Sequence, residues 1–434
     1  MFFNLLRLII NPTAALTAIH NKHGDFVQAS FFNKKLLFVS KPEHFEEIFS
    51  QEARGLVSRD ALYEAKKPMF GDGLFNSKVD TWTNQRRLMQ PLFTKQAIGA
   101  WQDIMLEEAN STVSRLKNSN SSEINISREM KEVIQKILIR VMFGRLKSER
   151  GDEQLMNAID TIVKGLFPHL VTETLGKGKL KQLFVLQNRR MELAIRHFAG
   201  YVDAEINRNP SESVNQSLLS MLIQRQGRTG YAMPKELLKD EAVTLFLAGQ
   251  DTSVNTLIWF FYLLGKHEAI HQRITDEIQQ YAAESLSLEN IEMLSYTKAA
   301  LYETLRLYPQ AIALSRDATD NISVGGENIG KNTTVIMSVF ATHRDGRLWQ
   351  RPQAFYPEHF LDGAATERHK NAFLPFGGGI HNCIGRHFAE LEMMMTIVAI
   401  LRNFTIKTNV NIKPGLSITY KPERDVMVSI TPIY

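Results

Sequence analysis

The only cysteine of the chain, Cys383, lies in the glycine-rich segment FGGGIHNCIG at positions 376–385. A single cysteine cannot form a disulfide within the chain, which favours a reducing compartment. The segment leads into a predicted helix, and N–H groups at a helix start favour negative charge and lower the pKa of a thiol. Glycines let the backbone approach a flat ligand closely. The pattern predicts a metal thiolate, and the alternative is a glycine-rich turn around a small buried cysteine.

A long apolar stretch at positions 242–264 contains the segment AGQDTS at positions 248–253. Gly249 in mid-helix costs about 1 kcal/mol relative to alanine, and close approach to a ligand is a reason to keep it. The Thr252 hydroxyl can bond the carbonyl of Ala248, four residues earlier, and open a groove in the helix. Asp251 offers a carboxylate for proton transfer. The alternative is a polar kink in a buried helix.

Two further pairs have helical spacing. Glu303 and Arg306 share one helix face and can form an ion pair, although this pattern alone is equally typical of a solvated surface pair. Trp82 and Arg86 lie one turn apart on the same face of a predicted helix.

These patterns, in this order, resemble the motifs of the cytochrome P-450 family from about residue 24 to the C-terminus. The resemblance implies that Cys383 is the axial ligand of the iron of haem b, where a thiolate favours O–O bond cleavage. It also implies that Glu303 and Arg306 form a buried structural pair, which His359 joins where the family usually has an arginine. The other residues that match haem contacts of the family are Trp82, Arg86, Ala248, Gly249, Arg316, Phe376, Gly377, His381 and Gly385.

The resemblance also implies an activity: insertion of one oxygen atom from O2 into a hydrophobic small molecule, by hydroxylation or epoxidation. Asp251 and Thr252 would control protons. No flavin or ferredoxin domain follows Tyr434, so we expect electrons from NAD(P)H to arrive through a separate ferredoxin or flavodoxin and its reductase. We expect that partner to dock through Arg87, Lys95 and Arg386. The alternatives are a peroxide-driven or non-hydroxylating haem-thiolate enzyme and a non-catalytic haem sensor.

Residues 71–77, GDGLFNS, are similar to a segment of bacterial fatty-acid hydroxylases in which the phenylalanine overhangs the haem. Phe75 is therefore predicted to gate the substrate, and an ordinary buried phenylalanine is the alternative. The predicted substrate pocket comprises Phe75, Ala248, Thr252, Ala311, Ile312, Ala313 and Leu314. Its apolar and small residues favour a fatty acid or another lipid-like chain, while terpenoids, steroids and natural-product scaffolds remain open.

The elements that position these residues are mostly helical. We predict one mainly α domain with small β-sheets over residues 1–434, comprising a short N-terminal segment (1–23) and a body (24–434) that carries the motifs. Expected features are a hairpin at 27–40, a helix from 42, breaks at 118–122, 176–179 and 209–216, one helix over 291–308 before Pro309, and a helix from Arg386. The haem would lie between the long central helix and the cysteine loop.

Composition excludes several function classes. Lys and Arg number 51 and Asp and Glu 46, a net charge of +5 without a dense basic run, which does not favour nucleic-acid binding. The apolar N-terminal segment MFFNLLRLII is ten residues long, half of the roughly 20 residues that span a bilayer. It also lacks a signal-cleavage pattern. We expect a cytoplasmic monomer, similar to the soluble bacterial members of the family, without a transmembrane anchor.

Overall fold

The computed structural model describes residues 8, 11–31, 34–60, 62–144, 150–175, 185–207, 217–229, 231–282, 286–361, 363, 367–415, 417 and 419–433. The helices are α1 (Pro12–His23), α2 (Pro42–Ala53), α3 (Tyr63–Phe70), α4 (Val79–Met89), α5 (Lys95–Ile98), α6 (Gln102–Lys117), α7 (Ile126–Phe143), α8 (Arg150–Leu175), α9 (Val185–Asn207), α10 (Leu218–Thr229), α11 (Lys235–Lys266), α12 (Glu268–Ala282), α13 (Leu288–Met293), α14 (Ser295–Leu307), α15 (Val339–Thr342) and α16 (Arg386–Leu401). The predicted mainly α fold with small sheets is confirmed.

The strands are β1 (Phe26–Phe31), β2 (Lys34–Val39), β3 (Val57–Ser58), β4 (Glu123–Asn125), β5 (Leu314–Ala318), β6 (Ile322–Val324), β7 (Glu327–Ile329), β8 (Thr333–Met337), β9 (Phe404–Lys407) and β10 (Met427–Pro432). They form a sheet in the order β1-β2-β8-β5-β3, a second in the order β4-β10-β9, and the pair β6-β7. The predicted hairpin is confirmed as β1 and β2, which pair antiparallel with Phe26 opposite Val39. β2 then pairs parallel with β8, which joins the N-terminal hairpin to the strands that follow α14.

Helix α11 runs through the main core. From Ser253 to Leu264 its side chains are buried on every face, as expected of a helix that is apolar all round inside a large protein. Its neighbour α16 is buried almost as completely, and the Ser253 hydroxyl donates to Glu392 on α16 at 2.5 Å. The cysteine loop precedes α16 directly, so this packing holds the loop beside α11. No helix in the described part of the chain combines the length and apolarity that crossing a membrane requires.

One predicted helix, residues 291–308, is wrong in its extent. The chain forms two helices, α13 and α14, separated at the buried Leu294, whose ψ of 64° is not helical. The carboxylate of Glu277 on α12 accepts hydrogen bonds from the backbone N–H groups of Tyr296 and Thr297 at 2.7 and 2.8 Å. An anionic acceptor at these free N–H groups stabilises the start of a new helix. The predicted breaks at 176–179 and 209–216 and most of the N-terminal apolar segment lie outside the described residues.

Candidate active site

The cysteine loop is held by its own backbone and by α2. The Cys383 N–H donates to the Phe376 carbonyl at 2.8 Å, while Gly377 and Gly379 adopt φ values of 71° and 70° that favour glycine. A Cβ on Gly379 would lie 2.6 Å from Oε2 of Glu52. The loop therefore needs glycine both for its turn and for its contact with α2.

The Cys383 side chain is accessible at its surface, although the surrounding protein desolvates its sulfur. It lies on the loop directly before the buried helix α16. Burial raises the pKa of the Cys383 thiol, while the Gly385 backbone N–H and the charges of Arg86 and Arg386 act to lower it. The expectation of a lowered thiol pKa is wrong for the protein alone, because burial outweighs the helix start. The donors and cations around the sulfur nevertheless suit a thiolate.

The middle of α11 presents an accessible face. Ala248 is exposed and Thr252 is partly exposed, although the helix around them is buried. The Thr252 hydroxyl donates to the Ala248 carbonyl at 2.8 Å, which confirms the predicted contact and leaves the oxygen of Thr252 free to accept a further hydrogen bond. A Cβ on Gly249 would lie 3.3 Å from Leu138 on α7. Close packing against α7 thus favours glycine at position 249, which the sequence did not reveal. The approach of Gly249 to haem stays a prediction.

Asp251 turns toward the C-terminal loop. Its Oδ2 accepts a hydrogen bond from the Thr419 hydroxyl, and the amide of Asn255 donates to that same hydroxyl at 3.1 Å. Burial raises the pKa of Asp251, while Thr419, Lys421 and Asn255 act in the opposite direction. Asp251 is therefore a half-buried residue whose carboxyl has no direct ion pair in the described part of the chain.

A buried carboxylate that the sequence did not indicate joins two of the predicted haem contacts. Glu52 accepts hydrogen bonds from Arg316 at 2.5 and 3.2 Å and contacts Nδ1 of His381 at 2.6 Å. Burial acts to raise the pKa of Glu52, but His381 and Arg316 outweigh it and the pKa is lowered. Burial also lowers the pKa of His381, so that a neutral imidazole donates from Nδ1. Its ring lies 4.1 Å from that of Trp82.

Beside this group lie two more arginines. Arg86 donates to the carbonyl and the side-chain oxygen of Asn382 at 2.9 and 2.7 Å. Arg59 is also not indicated by the sequence. Burial, together with the nearby charge of Arg316, lowers its pKa to about 10. Its Nε is buried and has no hydrogen-bond partner among the described residues.

The cluster of Arg59, Arg86, Arg316 and His381 thus contains three cations. Its one carboxylate described above, Glu52, is hydrogen-bonded to Arg316 and His381. A buried unpaired N–H of a charged group is costly, and an anionic ligand would satisfy it. Two haem propionates carry the required charge and acceptors, and the exposed Cys383 carries the iron ligand. The residues present therefore fit haem b.

The predicted structural network is formed and buried. Glu303 and Arg306, both fully buried, pair through two hydrogen bonds of 2.6 and 2.7 Å. His359 contacts Glu303 at 3.1 Å through Nδ1, and Arg306 also donates to the carbonyls of His343 and Pro352. Burial brings the pKa of His343 well below its usual value, so that its neutral Nε2 accepts from the N–H of Leu374 at 2.9 Å. The network thereby reaches the segment that enters the cysteine loop.

The predicted substrate-gating loop is attached to α11. Phe75 is 47% exposed, and its ring lies 5.0 Å from that of Phe70. The N–H of Leu74 donates to Glu241 at 3.1 Å, and burial raises the pKa of that carboxyl to about 8. The structure thus fixes the base of the loop and leaves Phe75 exposed at its end, and the gating role of Phe75 stays a prediction.

The other predicted pocket and docking residues are dispersed. Ile312 and Ala313 pack against the cluster that contains Leu16 and Ile19 of α1, whereas Leu314 packs against the core of the five-stranded sheet. Ala311 is partly buried. The predicted partner-docking residues Arg87, Lys95 and Arg386 are all exposed, and Arg386 also pairs with Glu390 at 2.9 Å and lies 5.4 Å from the ring of Phe376.

The chain is similar to known proteins over most of its length. The sequence profile of the cytochrome P-450 family matches residues 1–428. The chain is 27% identical to "Cyclooctatin synthase" of Streptomyces melanosporofaciens over 93% of this chain and 88% of that protein. It is 25% identical to "Cyclooctat-9-en-7-ol 5-monooxygenase" of the same organism over 89% of this chain and 83% of that protein. Human cytochrome P-450 4V2 is 26% identical over 81% of this chain and 72% of that protein.

Proposed function

The chain belongs to the cytochrome P-450 family, and from that premise we propose that it is a haem-thiolate monooxygenase that inserts one oxygen atom from O2 into a hydrophobic small molecule. The predicted family membership is thereby confirmed. The observation that carries the proposal is that two accessible groups interrupt two largely buried helices that are hydrogen-bonded to each other. These groups are the Cys383 thiol on the loop before α16 and the Ala248 and Thr252 face of α11.

Haem b, when bound, supplies oxygen activation and carbon oxidation, which are the chemistry of the cofactor rather than of the protein. Cys383 would ligate its iron, and Arg59, Arg86, Arg316 and His381 would hold its propionates. Thr252 would orient water through the free lone pairs of its hydroxyl, and Asp251 would supply protons. The apolar surroundings of α11 exclude bulk water. Electrons would come from NAD(P)H through a ferredoxin or flavodoxin and its reductase, with docking through Arg87, Lys95 and Arg386.

The hydrophobic class of substrate is supported by the residues near the site. Phe75 and Ala248 offer apolar or small surfaces, and Leu74 fixes the loop that carries Phe75. Two relatives are named for cyclooctatin and cyclooctat-9-en-7-ol, so that compounds related to these join fatty acids among the candidates. Presence of both Asp251 and Thr252 favours an oxygen-driven reaction over the peroxide-driven alternative.

The ligand assignment has a direct test. Purified protein, reduced and exposed to CO, should show the strongly red-shifted Soret band of a thiolate-ligated haem, and Cys383→His should shift that band to the histidine-type position. A histidine-type band in the freshly prepared wild type would refute the assignment.

The substrate class is tested by spectral screening. Fatty acids of graded chain length and cyclic hydrophobic compounds are titrated for a low-spin to high-spin shift, and each binder is then assayed for oxygenated product with partner proteins. Phe75→Ala should change binding constants of the true substrate class without changing the CO spectrum. Binding without turnover of any compound would favour the sensor alternative.

A further inference from the structure

The loop of residues 414–420 is fixed against α11 by its backbone. The indole N–H of Trp259 donates to the Tyr420 carbonyl at 2.6 Å, and the Trp259 ring stacks on that of Tyr308 at 3.9 Å and an interplanar angle of 10°. Trp259 is buried completely. This anchor determines where Thr419, the residue before Tyr420, meets α11.

The Thr419 hydroxyl has a defined set of partners. Its hydrogen is donated to Oδ2 of Asp251, and one lone pair accepts from the Asn255 amide at 3.1 Å. A hydroxyl has one hydrogen and two lone pairs, so that one acceptor position of Thr419 is left for a further donor.

Thr419 also lines a cavity that opens toward solvent. The cavity has a volume of about 820 Å³ and lies between α1 and the C-terminal loop, with Thr13, His20, Lys413 and Tyr420 also in its wall. A space of this size with polar groups in its wall holds many water molecules. Thr419 therefore touches both this cavity and the carboxyl of Asp251.

We propose that protons enter from this cavity and reach Asp251 through the Thr419 hydroxyl. The step is balanced: a hydronium ion in the cavity gives a proton to the free lone pair of Thr419, and Thr419 passes its own proton to the ionised Asp251. Thr419 is regenerated by rotation of its hydroxyl, and the cavity gains neutral water. The inference rests on the proposed function, because it presumes that Asp251 supplies protons to the reaction.

The charges that face Asp251 are compatible with this role. Lys421 on the C-terminal loop favours the ionised carboxylate, whereas Asp160 on α8 opposes it. The hydroxyl of Thr419 and the amide of Asn255 are neutral partners. Since no cation pairs directly with Asp251 among the described residues, the carboxylate is free to accept a proton and to release it again.

The experiment compares five holoproteins: wild type, Asp251→Asn, Thr419→Val, Thr419→Ser and the control Thr408→Val. Thr408 lies in the same C-terminal region and packs against the end of α11, but its hydroxyl donates to the Met427 carbonyl. Product formation and its solvent deuterium isotope effect are measured with saturating partner proteins. Infrared titration of the Asp251 carboxyl, assigned by its loss in Asp251→Asn, gives a readout that needs no turnover.

Thr419→Val should lower the turnover rate by about 10-fold to 100-fold, at the lower end of what positioned proton transfer contributes, and should increase the isotope effect. It should also raise the pKa of Asp251, since a hydrogen-bond donor to the carboxylate is lost. Thr419→Ser should restore both properties, and Thr408→Val should match the wild type.

Each other outcome has a definite meaning. If Asp251→Asn is slow but Thr419→Val turns over like the wild type, protons reach Asp251 elsewhere and the inference fails while the proposed function stands. If Asp251→Asn itself turns over normally, the proposed role of Asp251 fails. Should Thr419→Val bind too little haem for kinetics, an unchanged carboxyl titration in that protein would refute the contact with Asp251.

Discussion

Two carboxyl groups on neighbouring helices, the fully buried Glu303 and the half-buried Asp251, have pKa shifts of opposite direction. Burial by itself would raise the pKa of both Glu303 on α14 and Asp251 on α11. At Glu303 the hydrogen bonds and charges of Arg306 and His359 outweigh burial, and its pKa is lowered. At Asp251 the partners are a hydroxyl, an amide and a more distant lysine, and its pKa is raised.

The difference separates a structural group from one suited to chemistry. Glu303 stays ionised because the Arg306 cation is fully buried with it, so that neutralising Glu303 would leave Arg306 unpaired. Asp251 loses little when it takes up a proton, because none of its partners requires the negative charge. Proton transfer favours a group whose two protonation states are close in free energy. A raised pKa moves Asp251 toward that condition at neutral pH, and a lowered pKa moves Glu303 away from it.

The largest expected effect is the loss of Glu303. Glu303→Ala should lower the free energy of unfolding by about 3–5 kcal/mol, since it leaves the Arg306 cation buried and unpaired. Little haem-loaded protein should be recovered, as measured by the CO spectrum per mole of purified chain. Glu358→Ala is the control, because Glu358 pairs with the exposed Arg273 at 3.0 Å and such pairs contribute about 0–1 kcal/mol. A stable, haem-loaded Glu303→Ala protein with altered chemistry would instead place Glu303 in the reaction.

The two carboxyl groups also show what the sequence could predict. Glu303 and Arg306 are three residues apart, so helical periodicity indicated their contact, and Asp251 stood out as an acid inside an apolar stretch. Their partners could not be found in this way, because Thr419 lies 168 positions from Asp251 in the chain. The same holds for Glu52, whose partners Arg316 and His381 are 264 and 329 positions away.

Secondary structure was likewise predictable where it depends on residues close in sequence, and not where it depends on distant ones. The hairpin and the starts of α2 and α16 were predicted correctly, because turn residues, proline and the glycine-rich loop act over a few positions. The interruption at Leu294 was missed, since it depends on the Glu277 carboxylate of another helix. Tertiary contacts of this kind override the local helical pattern.

The second prediction concerns Asp251, the carboxyl suited to proton transfer, and its neighbour Thr252. Thr252→Ala removes the hydroxyl that would orient water, so electrons should still be consumed while product per NADPH falls by about 10-fold or more. The lost electrons should appear as hydrogen peroxide. Asp251→Asn should slow NADPH consumption and product formation together, because proton supply itself is impaired. NADPH, peroxide and product are measured in the same reaction, and full coupling in Thr252→Ala would remove Thr252 from proton control.

A third prediction tests whether Glu52 behaves like Glu303. Glu52→Gln should lower the free energy of unfolding of the holoprotein by about 1–3 kcal/mol, the cost of leaving a buried partner poorly satisfied. The effect should be smaller than that of Glu303→Ala, because glutamine keeps a side-chain oxygen that can still accept a hydrogen bond from Arg316. The pKa of Glu52 is lowered by folding, so that its stabilisation is present above its unfolded pKa of about 4.3 and is lost as the pH falls through the lower folded value.

The measurement for Glu52 is chemical denaturation of wild type and variant from pH 7 down to the acid limit of the fold. The difference between the two proteins should be largest near neutral pH and should shrink in acid. Faster transfer of haem to an acceptor protein is expected in parallel, since Arg316 and His381 lose their common partner. A constant difference at every pH would show that the charge of Glu52 does not stabilise the site.

The smallest expected effect is the most direct test of the comparison, because its sign is opposite to that of Glu303. The pKa of Asp251 is raised by folding, so that the protonated form is the one the folded protein favours. Its contribution to stability is fully present below the unfolded pKa of about 3.9 and is lost as the pH rises through the folded value.

Asparagine keeps an oxygen that accepts from Thr419 and carries no charge, so Asp251→Asn should leave stability unchanged in acid and increase it at neutral pH. The increase should be about 0.5–1 kcal/mol, within the usual range for relieving an unfavourable group at a functional site. Thermal unfolding of holoprotein at pH 5 and pH 8, with Glu303→Gln measured beside it, gives both signs in one experiment. If Asp251→Asn destabilises the protein at pH 8 as Glu303→Gln does, Asp251 is a structural carboxylate and the distinction between the two groups is lost.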